Sequence, residues 1–211
     1  MTIESDPIAA EAATPADDAT IRALAEALAA NNIEAVVVDT ADQARQAVLA
    51  IVPEGAEVHW AKSKTLDDLG ISEALLDTAR FDPIRPRYMA LDRATQGREI
   101  RKMMAAPDVM LSSAQAVTRD GALVTVSYSG SQIGPIAGGA GRVIFVIGSQ
   151  KIVPDLEAAL RRVRETVQPY EDARLREQLG VGTRLGKVLV TYLEPRPGRT
   201  TVILVREPAG V

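Results

Sequence analysis

The spacing of hydrophobic and polar residues predicts helices and strands in alternation. Apolar residues recur at helical spacing at Ile21, Leu24 and Leu28, and again over residues 44–51 behind a capping pattern at Thr40 and Gln43. Short β-branched or continuously apolar runs separate the helical segments. These runs predict strands over residues 35–38, 57–61, 109–111, 122–126, 143–147, 188–193 and 201–205.

This alternation predicts an α/β fold with a mostly parallel sheet flanked by helices. The run 143–147 is apolar at every position, as expected of a parallel strand covered on both faces. The last two strands lie close in sequence, so we expect them to form a C-terminal antiparallel hairpin. Residues 168–187 are polar, which predicts an irregular connecting segment, an excursion of the chain between the last helix and that hairpin.

Composition and length place the chain among globular proteins. A length of 211 residues suits one domain, which we predict over residues 17–211. Residues 1–16, rich in Ala, Thr, Pro and acidic residues, predict a disordered acidic leader. The charges after residue 18 nearly cancel, with 23 acidic and 24 basic residues, so nothing favours nucleic acid as a partner.

Several site classes are excluded by residue counts. The chain has no cysteine, which rules out disulfides and any iron–sulfur cluster held by cysteines of this chain alone. Its single histidine, His59, rules out sites that need two, and in a predicted strand we interpret it as a core or rim residue. The sequence has no signal peptide and no membrane-spanning run, so we predict a cytoplasmic protein without a membrane partner. We also predict no metal site.

The junction between a predicted strand and a helix at residues 61–66 is the first candidate site. Ligands of α/β folds bind at the carboxyl ends of strands, where a helix N-terminus also favours anions. Lys62, Ser63 and Thr65 therefore form a candidate site for a small anion. The other interpretation is that a hydroxyl of Ser63 or Thr65 merely caps the helix.

Two further segments are candidates. Asp120 at the end of a predicted strand is a candidate general base, with Gly121 beside it, although Asp-Gly is also a common turn. Gly130, Ser131 and Gln132 belong to a glycine-rich stretch that permits close approach of a ligand or of another segment.

Five ordered segments resemble the LUD-domain family, in particular lactate-utilisation protein C and its YkgG-like relatives. The segment SKTLDDLGI at 63–71 is similar to a family motif, and the others follow in the same order. They are DVMLSSAQAVTRDG at 108–121, SGSQ at 129–132, GSQKIVPDLE at 148–157 and PGRTTVILVRE at 197–207.

The resemblance implies a fold like that of the NagB, ribose-5-phosphate isomerase (RpiA) and CoA-transferase group. It also implies a role in oxidising L-lactate to pyruvate beside partner chains that carry iron–sulfur clusters, with no cofactor in this chain. In related folds the loop that matches residues 62–65 holds a phosphate. Many relatives carry a cysteine cluster that is absent here. Three positions where the family often has asparagine are occupied here by Gln115, by Ser131 or Gln132, and by Gln150.

Three functional hypotheses remain open from the sequence. The first is a lactate-utilisation component with an anion site at Lys62, Ser63 and Thr65, closed by Asp120 and Gly121. The second is a free-standing sugar-phosphate isomerase or lyase with Asp120 as its base, and the third is a non-catalytic scaffold or regulatory subunit.

Overall fold

The computed structural model describes residues 14–211, and these form an α/β fold. The predicted leader over residues 1–16 therefore lies mostly outside the described residues. The helices are α1 Asp18–Ala30, α2 Ala41–Ile51, α3 Lys64–Asp68, α4 Ile71–Ala74, α5 Ile84–Met89, α6 Gly97–Ala105, α7 Leu156–Arg162 and α8 Gln168–Leu179. The strands are β1 Glu34–Val38, β2 Glu57–Trp60, β3 Asp82–Pro83, β4 Val109–Ser112, β5 Ala116–Thr118, β6 Leu123–Ser127, β7 Arg142–Gly148, β8 Ile152–Val153, β9 Lys187–Thr191 and β10 Thr200–Val205.

A six-stranded parallel sheet forms the centre of the protein, in the order β1-β10-β7-β4-β2-β3. Successive residues of β7 face opposite sides: Ile144 packs with α2 and its neighbours, whereas Phe145 packs with α1. Both faces of this strand are therefore covered, which confirms the interpretation of its apolar run. The parallel sheet flanked by helices is confirmed as well.

A second, four-stranded sheet in the order β8-β5-β6-β9 covers one face of the first, where Val117 and Leu123 join the core around Phe145. On its other side, Ala159 and Val163 of the C-terminal helical region pack against Val124. The molecule is thus layered, and the small sheet lies between the large sheet and this helical region.

The expected C-terminal hairpin is wrong. Strand β9 pairs antiparallel with β6 in the small sheet, whereas β10 lies parallel between β1 and β7 in the large one. The physical reason is burial: all six residues of β10 are buried, while β9 has exposed positions such as Val188. A strand that is apolar on both faces is stable only inside a sheet whose two faces are covered. An edge strand can leave side chains exposed to solvent.

Residues 168–187 also differ from the expected excursion, because their first part is helical. Helix α7 continues through a π-helical turn at Val163–Val167 into α8, and Gly180 ends it in the left-handed conformation with φ 70°. This long helical segment forms one wall of the pocket described next.

Candidate functional site

A pocket of about 440 Å³ opens where parallel strands of the large sheet end. Its wall includes the carboxyl end of β2 with the segment 61–65 that follows, and Ser113 just after β4. Parallel strands present their carboxyl ends at one edge of a sheet, so these segments converge. The carboxyl end of β6 and the helical segment after α7 complete the wall.

The first predicted segment lies at this pocket. Lys62, Ser63 and Thr65 all line it. The Ser63 hydroxyl accepts a hydrogen bond from the Leu66 N–H at 3.4 Å, so it also caps the five-residue helix α3. Lys62 forms an ion pair with Asp67, which partly neutralises it. The capping interpretation and the position at a candidate site are thus compatible for Ser63.

The floor of the pocket contains a lysine that the sequence interpretation did not single out. Lys151 is only 2% exposed, and its Nζ donates hydrogen bonds to Thr65 Oγ1 at 2.7 Å and Ser113 Oγ at 3.1 Å. The sequence does contain a signal for this lysine, because Lys151 lies between the wholly apolar run of strand β7 and the apolar residues Ile152 and Val153. A lysine at the carboxyl end of a buried parallel strand indicates a site.

Burial lowers the pKa of Lys151 from 10.5 to about 7. The positive charge of Arg162 acts in the same direction, and Asp68 opposes both. Arg162 is itself buried, which lowers its pKa to about 10, and it donates to the Gln115 carbonyl at 2.7 Å. Two buried cations without a carboxylate between them are costly to keep charged.

His59 also lines the pocket, and it is 3% exposed. Its ring meets that of Tyr88 edge to face, with 5.6 Å between centroids. Burial, and then the nearby charge of Arg85, lower the pKa of His59 from 6.5 to about 4. Its Nδ1 finds no hydrogen-bond partner within residues 14–211, so the structure makes His59 a neutral residue of the pocket wall.

Positive charge dominates the wall of the pocket. Within the described residues, Glu171 is the one carboxylate side chain on the wall, and Arg174 Nε donates a hydrogen bond of 2.8 Å to its Oε2. The cationic side chains on the wall are Lys62, Lys64, Arg85, Arg93, Lys151 and Arg184. Four of these form no ion pair within residues 14–211, namely Arg85, Arg93, Lys151 and Arg184.

Arg85 is fixed against the wall. Its guanidinium lies over the Trp60 ring, 5.9 Å from the centroid, and donates to the Trp60 carbonyl at 3.4 Å. An arginine held by stacking loses little further freedom when it binds an anion, so it suits a carboxylate or a phosphate.

The glycine-rich stretch contributes to the pocket through the two polar residues that follow Gly130. Ser131 and Gln132 line the pocket, and Gln132 Nε2 donates to the Val126 carbonyl at 2.6 Å. Gly130 has φ 88°, and a Cβ there would lie 2.8 Å from Cδ of Lys187. Gly130 therefore serves a close approach between chain segments.

Asp120 and Gly121 are not brought to the pocket. They form the turn between β5 and β6, where Gly121 has φ 87° and its N–H bonds to the Thr118 carbonyl at 2.9 Å. The carboxyl end of β6 lines the pocket, so this turn lies at the opposite end of a five-residue strand, roughly 15 Å away. Asp120 and Gly121 therefore do not line this pocket, and Asp120 is not placed to act as a base in it.

Gln115 and Gln150, two of the residues at family asparagine positions, both make hydrogen bonds to backbone groups. Gln115 Oε1 accepts from the Val126 N–H at 2.8 Å, and Gln150 Nε2 donates to the Ala209 carbonyl at 3.1 Å. Gln150 thus holds the segment around Ala209, whose carbonyl also accepts from Thr65 at 3.3 Å. The two residues support the walls of the pocket.

Residues 14–211 lack both a candidate metal cluster and a candidate membrane span. No group of three or more histidine, aspartate or glutamate side chains is placed to hold a metal ion there. None of the helices in that range has the length and apolar character needed to cross a bilayer.

Comparisons with known proteins agree with this architecture. A family model described as the LUD domain matches residues 21–205. Among solved structures, a DUF162 family protein from Deinococcus radiodurans is similar, with a TM-score of 0.53 and 16% identity over 90% of this chain and 99% of that chain. At this identity the likeness concerns the fold alone. No curated protein matches the chain.

Proposed function

Because the chain belongs to the LUD-domain family, we propose that it takes part in L-lactate utilisation by binding a small carboxylate in the pocket. The family is associated with lactate utilisation. The observation that carries the proposal is the excess of cationic side chains on the pocket wall, among which Arg85 is fixed and free of any ion pair within residues 14–211. A carboxylate is a small anion that an arginine binds with two parallel hydrogen bonds.

Each part of the wall has a role in this proposal. Arg85 binds the carboxylate, with Lys62 and Ser63 beside it, while Thr65 and Lys151 form the polar floor. Ser131 and Gln132 face the ligand from the glycine-rich side, where Gly130 lets the chain turn.

Isothermal titration calorimetry with L-lactate, pyruvate and inorganic phosphate tests the proposal. We expect binding of the carboxylates that weakens at high salt, because exposed charges are screened. Arg85→Ala should weaken binding by roughly tenfold or more, since a hydrogen bond to a charged group contributes about 1.5–3 kcal/mol. Arg98→Ala is the matched control, because Arg98 is exposed and does not line the pocket.

Absence of measurable binding for every anion overturns the proposal. Equal losses in the Arg85 and Arg98 variants overturn the assignment of the site. Binding of phosphate but neither carboxylate replaces the proposed ligand class with phosphate esters.

The proposal assigns electron transfer to partner chains, because this chain has no cysteine to hold an iron–sulfur cluster. We propose that it works with iron–sulfur subunits of a lactate-oxidising complex in the cytoplasm. A tagged pull-down from source cells grown on lactate, followed by mass spectrometry, should recover such subunits. Recovery of this chain alone in repeated pull-downs overturns this part of the proposal.

A further inference from the structure

The Lys151 amine is enclosed at the floor of the pocket without an anionic partner. Its side chain is almost fully buried, and it reaches the pocket together with Thr65 and Ser113. Within residues 14–211 it forms no ion pair with any carboxylate. A lysine whose role is structural is expected to pair with an acid when buried.

The two hydroxyl partners fix how the amine is oriented. Thr65 Oγ1 donates to the Ala209 carbonyl at 3.3 Å, and Ser113 Oγ donates to the Ala114 carbonyl at 3.2 Å. The two hydroxyl oxygens also lie 3.2 Å apart. With their protons used in these bonds, both oxygens accept a hydrogen bond from Nζ of Lys151.

A neutral amine fits this arrangement better than an ammonium group. A neutral amine has two N–H groups, which the two hydroxyls accept, and one lone pair that remains available. An ammonium would carry a third N–H with no acceptor shown among the described residues. The lowered pKa of Lys151 agrees with this geometry.

We propose that Lys151 forms a Schiff base with the carbonyl carbon of a 2-oxo acid bound in the pocket. This inference rests on the proposed function, because Arg85 and its neighbours hold the carboxylate of the same ligand. A 2-oxo acid combines an anionic group for the cationic wall with an electrophilic carbonyl for the amine. Desolvated lysines in enclosed sites act as nucleophiles of this kind.

The reaction balances without an oxidant or a reductant. The Nζ lone pair forms a bond to the carbonyl carbon while the carbonyl π electrons move to oxygen, which takes up one of the two amine protons. The resulting carbinolamine then loses its hydroxyl group and the remaining N–H proton as water. A C=N bond replaces the C=O bond, so one amine and one ketone give one imine and one water.

Reductive trapping tests the proposal on the full chain. The protein is incubated with pyruvate and sodium cyanoborohydride near neutral pH, digested, and mapped by mass spectrometry. The chain has five lysines, at 62, 64, 102, 151 and 187, so the modified peptide identifies the site. We expect a single reduced adduct on Lys151 with pyruvate, and none with L-lactate, which lacks a carbonyl group.

Two variants sharpen the test. Lys151→Met keeps the length and removes the amine, so the adduct should be lost. Lys102→Met changes an exposed lysine that does not line the pocket, so this variant should be labelled like the unaltered protein. If Lys151→Met does not fold, peptide mapping of the unaltered protein still decides the question.

The outcomes separate this inference from the proposed function. Carboxylate binding without an adduct, or an adduct spread over the exposed lysines, overturns the Schiff base alone. Absence of both binding and adduct overturns the proposed function together with it.

Discussion

Lys151 and Thr65 are joined by a hydrogen bond of 2.7 Å between Nζ and Oγ1, across 86 positions of the chain. Thr65 lies in the short helix after β2, whereas Lys151 follows β7, so the bond joins the carboxyl ends of two strands of the large sheet. The same Thr65 oxygen bonds to the Ala209 carbonyl at 3.3 Å. A single hydroxyl therefore connects three distant segments at the pocket floor.

Thr65→Val tests this connection. The substitution keeps the shape and removes the hydroxyl, which leaves a buried N–H of Lys151 and the Ala209 carbonyl without this partner. We expect a loss of about 1–3 kcal/mol in the free energy of unfolding, measured by urea denaturation. Thr65→Ser keeps the hydroxyl and should lose less stability. Equal losses in both variants would mean that the methyl group contributes as much as the hydroxyl.

His59 provides a pH prediction that can be measured cleanly, because it is the only histidine in the chain. Its pKa is lowered from 6.5 to about 4 in the folded protein, chiefly by burial. Nuclear magnetic resonance should show a single imidazole that stays neutral until the pH falls towards 4. An imidazole that titrates near 6.5 in the folded protein would contradict the structure.

The same shift sets the direction of a stability change. Between pH 6.5 and 4 the unfolded chain binds a proton at His59 that the folded protein does not, so stability falls as the pH falls through this window. The loss amounts to about 3 kcal/mol at most, from about 1.4 kcal/mol per pKa unit. His59→Leu should remove this part of the pH dependence in chemical denaturation.

Arg199 and Glu194 form a buried ion pair with 2.7 Å between Nη1 and Oε2, each side chain being 5% exposed. Arg199→Ala should cost about 3–5 kcal/mol in unfolding free energy, because it leaves a buried carboxylate without its partner. Arg196→Ala is the control, since Arg196 is largely exposed and lies 3.9 Å from the same carboxylate. A similar loss of unfolding free energy in both variants would show that the buried pair contributes no more to stability than the exposed arginine does.

Acid should weaken this pair. Burial alone would raise the pKa of Glu194, but hydrogen bonds from Arg199 and its neighbours hold it below its usual 4.5. A lowered folded-state pKa means stability that is present above 4.5 and lost as the pH falls through the folded value. The unaltered protein should therefore lose more stability than Arg199→Ala below that pH, as measured by urea denaturation.

Two adjacent glycines give a matched packing test. A Cβ at Gly139 would overlap the carbonyl oxygen of Ala105 at the end of α6, whereas a Cβ at Gly138 meets nothing within 4 Å. Gly139→Ala should lower the melting temperature and cost about 1–3 kcal/mol. Gly138→Ala should be neutral or slightly stabilising, because it restricts the unfolded chain. If the two variants have the same melting temperature, the backbone at Ala105 can move to accommodate the added methyl group.

Local patterns predicted most elements of the fold, but not how the last two strands pair. The wholly apolar run of β7 indicated a covered parallel strand, and the structure agrees. β10 has the same wholly apolar character from Val202 to Val205, yet nearness in sequence favoured a hairpin with β9. Strand pairing depends on which strand edges and covered faces the whole molecule offers. The spacing of strands along the chain does not contain this information.

The site was predictable only where its residues were adjacent in sequence. Lys62, Ser63 and Thr65 belong to one loop, so the strand-to-helix rule located them. Lys151 and Ser113 join Thr65 through folding alone, because each follows a different strand. Asp120 could not be placed relative to the pocket, since the sequence did not say which end of β6 reaches it.

The insertion of β10 into the middle of the large sheet has a consequence for biosynthesis. Within the described chain β1 pairs only with β10, and Thr201 Oγ1 donates to Glu34 Oε2 across 167 positions. A ribosome therefore releases β1 long before its neighbour exists, and such distant pairing slows folding. Until residues 200–205 emerge, β1 and one side of β7 remain open strand edges, and a prematurely terminated chain would expose both to aggregation.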